Sequence, residues 1–164
     1  MRTVLYPGSF DPVTTGHMDI IRRAAAQFER VIVGVLYNPE KPTGAFPVAE
    51  RLDLLKTAVA DLSNVEVGAY AGLLVDVAAS CGADAVIRSL RTAADLDAEL
   101  QMARLNRQMS GIETLFLASA PEMVHISSSM VRVIGQHGGD IRGLVPELIE
   151  ERVAKGLKAT HENA

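Results

Sequence analysis

Short runs rich in β-branched and apolar residues recur along this chain, and the segments between them carry apolar residues at helical spacing. The runs cover 2–6, 31–36, 65–67, 85–87 and 114–117, and those at 31–36 and 114–117 are nearly all apolar. Strands covered on both faces read as continuous apolar runs, whereas half-exposed strands alternate. Helical periodicity follows in Ile20, Ile21, Ala24, Ala25 and Phe28, then in Leu52, Leu55, Ala58, Val59 and Leu62. It returns in Leu74, Val75, Ala78 and Ala79, and again in Leu96, Leu100, Ala103 and Met109. Strand and helix in turn imply an α/β fold: a Rossmann-like, doubly wound, parallel five-stranded sheet with helices on both faces and ligands outside the strands' carboxyl ends. Beyond Gly138-Gly139, Pro146 opens a last amphipathic helix with Leu148, Ile149, Val153 and Leu157, after which the tail 159–164 is expected to fray. The 164 residues suffice for one good core, so 1–158 is expected to form a single domain.

Composition removes several function classes. A net charge of −4 argues against a nucleic-acid polymer as partner. The single cysteine, Cys81, has no partner for an internal disulfide and reads as a small core filler. With no signal peptide and no long apolar run, the expected location is cytoplasmic, without a membrane. The four histidines are scattered, so no protein-built metal site is expected.

Four segments could carry chemistry. The turn Tyr6-Pro7-Gly8-Ser9-Phe10-Asp11-Pro12-Val13-Thr14-Thr15-Gly16-His17 joins the first run to the first helical segment. A strand, turn and helix in that order offer unpaired backbone N–H groups and the positive end of a helix dipole to an anion, and His17 adds a side-chain donor. A tight loop in which His17 merely caps the helix is the competing reading. In Asn38-Pro39-Glu40-Lys41-Pro42-Thr43-Gly44, Lys41 is either a phosphate ligand or a solvated loop lysine. Ile87-Arg88-Ser89-Leu90-Arg91 offers two guanidinium forks for phosphate, unless Asp95 and Glu99 engage them as internal ion pairs. Arg104 and Arg107 extend this basic group. Ile126-Ser127-Ser128-Ser129-Met130-Val131-Arg132 opens a helix whose serines are N-caps, a second anion site, or both. All four segments follow parallel strands and so gather on one edge of the sheet.

Thr14-Thr15-Gly16-His17 and Ile126-Ser127-Ser128-Ser129 resemble the two signature motifs of the (H/T)xGH nucleotidyltransferases. Together with 38–41, Glu50-Arg51-Leu52, 87–91 and 95–107, they resemble the bacterial phosphopantetheine adenylyltransferases over nearly the whole chain. The resemblance implies transfer of AMP from ATP to 4′-phosphopantetheine by direct in-line attack, giving dephospho-coenzyme A and pyrophosphate. It also implies Mg²⁺ carried on the ATP phosphates, a homohexamer and feedback binding of coenzyme A. By the same resemblance Ser9 and Phe10 meet both substrates, and His17 binds ATP phosphate and stabilises the transition state. Lys41, Leu74 and Arg88 touch phosphopantetheine, Lys41 lying also near the reacting phosphates. Ser89, Leu90, Arg91, Glu99, Met123, Val124, His125, Ile126, Ser127, Ser128 and Ser129 contact the nucleotide. The chain departs from the family's common pattern at Ser89 (usually glycine), Ala98 (tyrosine) and Met123 (often an aromatic).

A phosphate nucleophile arrives ionised and needs no general base, so catalysis falls to positioning and charge. His17, Lys41, Arg91 and the helix N-terminus at Ser128-Ser129 are the donors suited to the charge that builds on the α-phosphoryl oxygens and on pyrophosphate. Asp95, Asp97 and Glu99 read as a helix face paired with arginines rather than as metal ligands. A cytidylyltransferase or nicotinate mononucleotide adenylyltransferase would share the phosphate motifs with another acceptor pocket. A non-catalytic nucleotide-binding regulator would not need His17, Lys41 and Arg91 together.

Overall fold

The structure is a computed structural model that describes residues 2–40 and 44–162. Its elements are β1 (Thr3–Gly8), α1 (Thr15–Gln27), β2 (Arg30–Tyr37), α2 (Val48–Ala58), β3 (Val65–Ala71), α3 (Leu74–Cys81) and β4 (Ala85–Leu90). They continue with α4 (Ala93–Ser110), β5 (Glu113–Ala118), α5 (Ser128–Gln136) and α6 (Glu150–Glu162). The strands pair in parallel in the order β3-β2-β1-β4-β5, the doubly wound sheet expected from the alternation.

Alternate side chains of the central strands feed opposite faces, as the period of a strand requires. Val4, Tyr6, Val31, Val33 and Val35 join Ile20, Ile21 and Ala24 of α1, Leu54 and Leu55 of α2 and Val153 and Leu157 of α6 in the larger core. Leu5, Ile32 and Val86 turn the other way and meet Val77 and Ala78 of α3, with Cys81 half-buried beside them.

Strands β3 and β4 outrun their apolar stretches furthest. β3 continues to Ala71 because its partner β2 offers a ladder as far as Tyr37, and β4 continues to Leu90 by pairing Arg88, Ser89 and Leu90 with Phe116, Leu117 and Ala118. Arg88 and Ser89 therefore lie within a strand, not beyond it. The last helix also differs in detail. A 3₁₀ turn at Glu147–Ile149 precedes α6, and its tighter period buries Ile149 while leaving Leu148 71% exposed, off the apolar face it was expected to share. Helix α6 itself runs on to Glu162.

The winding reverses beside β1. The chain builds outward through β2 and β3, returns to place β4 on the other flank of β1, and then adds β5. Such a switch point opens a crevice outside the carboxyl ends of the two strands where the direction changes. Among the described residues, no helix is long and apolar enough to cross a membrane.

Candidate active site

A polar cavity of about 370 Å³ occupies that crevice. The end of β1 and its turn contribute Tyr6, Ser9 and Phe10, the start of α1 contributes Thr14 and His17, and β4 contributes Arg88, Ser89 and, just past its end, Arg91. Asp95 and Glu99 come from α4, and Met123, Ile126, Ser127, Ser128, Ser129 and Arg132 from the approach to α5 and its first turn. Most site residues expected from the sequence are thus brought together. Leu90, Val124 and His125 are not in the cavity wall, Leu74 lines a neighbouring cavity, and Lys41 lies outside the described residues.

The local chemistry of α1 fixes His17. Thr14 is the N-cap: its hydroxyl accepts from the His17 N–H at 3.3 Å, and its own N–H donates to His17 Nδ1 at 3.0 Å. This reciprocal box satisfies two helix-end donors. Because Nδ1 accepts, the neutral imidazole carries its proton on Nε2, which no side chain of the turn engages. Cap and anion donor, rival readings of the sequence, are compatible roles of the two ring nitrogens. Burial, and secondarily the charge of Arg91, pushes the imidazole pKa down to about 4, so His17 is neutral at pH 7.

The arginines have internal partners. Arg88 holds Glu99 in a bidentate fork at 2.8 and 2.6 Å and donates to the Pro7 carbonyl at 3.2 Å. Three of its five N–H donors are engaged in those bonds. Glu99 raises the Arg88 pKa further, keeping it cationic. Arg91 stands 3.5 Å from Asp95, which also completes a capping box with Thr92 at the start of α4. Asp95 and Glu99 therefore pair with arginines, as the sequence suggested, whereas Asp97 is exposed on α4 and, among the described residues, has no ion pair. Arg104 and Arg107 take no part in the cavity wall, and Arg107 pairs with Glu113 at 3.0 Å. Ser89 lines the cavity beside the buried Tyr6 phenol, whose pKa desolvation raises to about 12, Ser89 opposing that shift. Of the other departures, Met123 lines the cavity and Ala98 is exposed on α4.

Helix α5 meets the cavity with its N-terminus. Ser127 caps it, accepting from the Met130 N–H at 3.2 Å, and Ser128 Oγ donates to the Pro12 carbonyl at 2.8 Å. Two helix N-termini thus converge on one space, an arrangement suited to an anion with several charged oxygens.

Sequence reasoning missed the polar hub beneath this turn. Asp11 and Arg51 are only 4% and 5% exposed, with Arg51 Nε 3.3 Å from Asp11 Oδ1. Asp11 also accepts from the Ala45 and Phe46 N–H groups, and Arg132 reaches its carbonyl at 2.6 Å. Gly44, at φ +147°, lies against the pair, and a Cβ there would overlap the Arg51 guanidinium. One signal was available: Arg51 shares the spacing of Leu54, Leu55 and Ala58 on the buried face of α2.

Beside the polar cavity lies a smaller one of about 220 Å³ with a mostly apolar wall of Leu36, Leu74, Met102 and Ala103. Arg88 and Glu99 line both spaces. Thr114 borders the smaller one, and among the described residues its buried hydroxyl oxygen has no hydrogen-bond partner. Among the described residues, no group of three or more His, Cys, Asp or Glu side chains gathers where a metal ion could sit.

The cytidylyltransferase-like family model matches residues 5–134. The phosphopantetheine adenylyltransferase of Thermobifida fusca is 52% identical over 153 residues, covering 93% of this chain and 93% of that protein. The chain belongs to this family. The phosphopantetheine adenylyltransferase of Corynebacterium diphtheriae is 45% identical over 159 residues, with 97% of this chain and 100% of that protein covered. Membership makes the protein a nucleotidyltransferase enzyme and agrees with the motifs read from the sequence. Among solved structures, a bifunctional NMN adenylyltransferase/ADP ribose pyrophosphatase from Francisella tularensis superposes with a TM-score of 0.75 at 11% identity. That match covers 99% of this chain and 52% of the bifunctional one. A putative nicotinate-nucleotide adenylyltransferase from Vibrio parahaemolyticus gives 0.66 at 17% identity, over 93% of this chain and 99% of that one. At such identities the likeness is one of fold, which this phosphopantetheine adenylyltransferase family member shares with them.

Proposed function

We propose that the protein transfers the AMP moiety of ATP to the phosphate of 4′-phosphopantetheine, forming dephospho-coenzyme A and pyrophosphate. The observation that carries this reading is the position of Arg88, which lines both the polar cavity under the helix N-termini and the adjoining apolar one. An acceptor with an ionic head and a largely apolar amide arm fits that pair of spaces. Its phosphate lies beside Arg88 and its arm among Leu36, Leu74 and Met102.

The reaction needs no general base. An acceptor phosphate oxygen forms a bond to the α-phosphorus of ATP while the bond to the bridging oxygen breaks, and pyrophosphate leaves with that electron pair. His17 Nε2–H, the N–H groups opening α5 at Ser128 and Ser129, and the Arg91 charge face the oxygens on which charge builds. Lys41 joins them in this reading as the cation of the loop after β2. Mg²⁺ enters as part of the Mg–ATP substrate and offsets charge on its phosphates. Coenzyme A, which shares the pantetheine arm, competes for the apolar cavity. A homohexamer is part of the same reading, supported by the exposed apolar stripe Met102, Leu105 and Met109 on α4, and light scattering reads its mass.

The decisive assay mixes enzyme with Mg–ATP and either 4′-phosphopantetheine or nicotinate mononucleotide and follows pyrophosphate. Release with phosphopantetheine is expected, and release with nicotinate mononucleotide alone overturns the assignment. Arg88→Ala is expected to weaken phosphopantetheine binding by about one to two decades, the worth of a charge-assisted contact of roughly 1.5–3 kcal/mol, and ATP binding much less. Calorimetry with each ligand separates the two, and equal losses contradict the role given to Arg88. Met123→Trp, which restores the aromatic residue common in the family, is expected to keep turnover within a few fold and to alter ATP affinity modestly. Abolished turnover means that the segment before α5 serves another purpose here.

A further inference from the structure

Phe10 holds a backbone conformation that its side chain disfavours. Its φ is +45°, in the left-handed region where glycine, asparagine or aspartate sits at lower cost than a bulky residue. A turn that required only this backbone would be better served by one of those three. The ring is 1% exposed and fits because residue 8 has no side chain: a Cβ on Gly8 would stand 3.0 Å from Phe10 Cε2. On one flank the ring meets Tyr6 edge-on with centroids 5.6 Å apart. On the other it meets the His17 imidazole at 4.9 Å and 67°. Strain retained beside a reactive group points to work done by the side chain.

On the reading of His17 as the donor to the phosphoryl oxygens, we propose that Phe10 is a positioning residue, whose ring seals the inward side of the His17 imidazole from water and fixes its plane so that Nε2–H stays directed at the cavity. The Thr14 N–H on Nδ1 alone leaves the imidazole free to pivot about that bond, and the phenyl edge removes this freedom. The low His17 pKa agrees, since burial is its first cause. Among the described residues the charged groups around the cavity are Arg88, Arg91, Asp95, Glu99 and Arg132, and Asp11 of the same turn directs its carboxylate to the Ala45 and Phe46 N–H groups, to Arg51 and to Arg132. Removing the phenyl changes none of these charges; it alters water access and freedom of the imidazole together with the packing against Tyr6, which the melting curves read separately.

Two variants test this. Phe10→Asn suits the backbone and removes the ring, and Phe10→Leu keeps apolar bulk without a flat edge. Long-range ¹H–¹⁵N NMR on the ligand-free protein reads the His17 pKa and tautomer without reference to any reaction. Steady-state kinetics and melting curves accompany it. Phe10→Asn is expected to raise the His17 pKa by about one to two units toward its ordinary value and to lower kcat about tenfold or more, with the KM for ATP within threefold. Phe10→Leu is expected to fall between this variant and the wild type on both measures. If folded Phe10→Asn, or Phe10→Leu should the first not fold, keeps the wild-type pKa and tautomer, Phe10 is a core residue and the proposal is wrong. If the pKa shifts as expected while wild-type protein does not turn over phosphopantetheine, the positioning of His17 stands and the functional reading fails instead.

Discussion

His17→Ala is expected to lower kcat by about 10² to 10³ while weakening ATP binding less than tenfold. The asymmetry follows from the role proposed for the ring: Nδ1 accepts from the Thr14 N–H, and on that proposal Nε2–H meets charge that develops only as the α-phosphoryl group is transferred. Loss of the capping contact costs about 1 kcal/mol, too little to unfold a helix anchored by Ile20, Ile21 and Ala24. Steady-state kinetics, a melting curve and an ATP titration on one preparation separate these effects. Unchanged kcat, or activity lost only through unfolding, contradicts the catalytic role. The pH dependence of stability has a definite sign. The folded pKa of about 4 lies below the ordinary 6.5, so the unfolded chain binds the extra proton first. The contribution is fully present above pH 6.5 and is lost as pH falls toward 4, by up to about 3 kcal/mol. Denaturant titrations of wild type and His17→Ala at both pH values are expected to find this slope in the wild type alone.

Arg51→Ala is expected to destabilise the fold by about 1–3 kcal/mol, because the buried Asp11 carboxylate loses the nearer of its two cations among the described residues and keeps Arg132 Nη1 at 3.5 Å. The Asp11 carboxylate is 4% exposed and cannot turn to water, and Arg51 also donates to the Phe46 carbonyl at 2.7 Å and the Ser9 carbonyl at 3.3 Å. The effect should reach the active site, because Ser9 lines the polar cavity. Chemical-denaturation midpoints provide the measurement, with Asp11→Asn as companion; it keeps a carbonyl acceptor for one of the two loop N–H groups and should lose less. A loss below about 1 kcal/mol for Arg51→Ala means the pair is no better than a surface salt bridge.

The order of the elements and the edge on which the chemistry collects were legible because they rest on local signals. Valine and isoleucine runs, helical spacing and capping residues act within a few residues, and the parallel winding follows from their alternation. The motifs at 6–17, 87–91 and 126–132 therefore led to the crevice that holds His17, Arg88 and Ser128. Partner choice was not local. Arg88 had Asp95, Glu99 or a ligand phosphate open to it, and only the crossing of β4 with α4 brought Glu99 within 2.6 Å. Asp11 and Arg51 are 40 positions apart and became a buried pair because the 44–46 loop folds over the β1 turn. The sequence by itself thus determined which elements form and on which edge of the sheet the motif residues collect. Tertiary structure alone decided which side chains meet, down to the Phe10 edge on His17, because long side chains choose among partners by distance in space and by the water excluded around them.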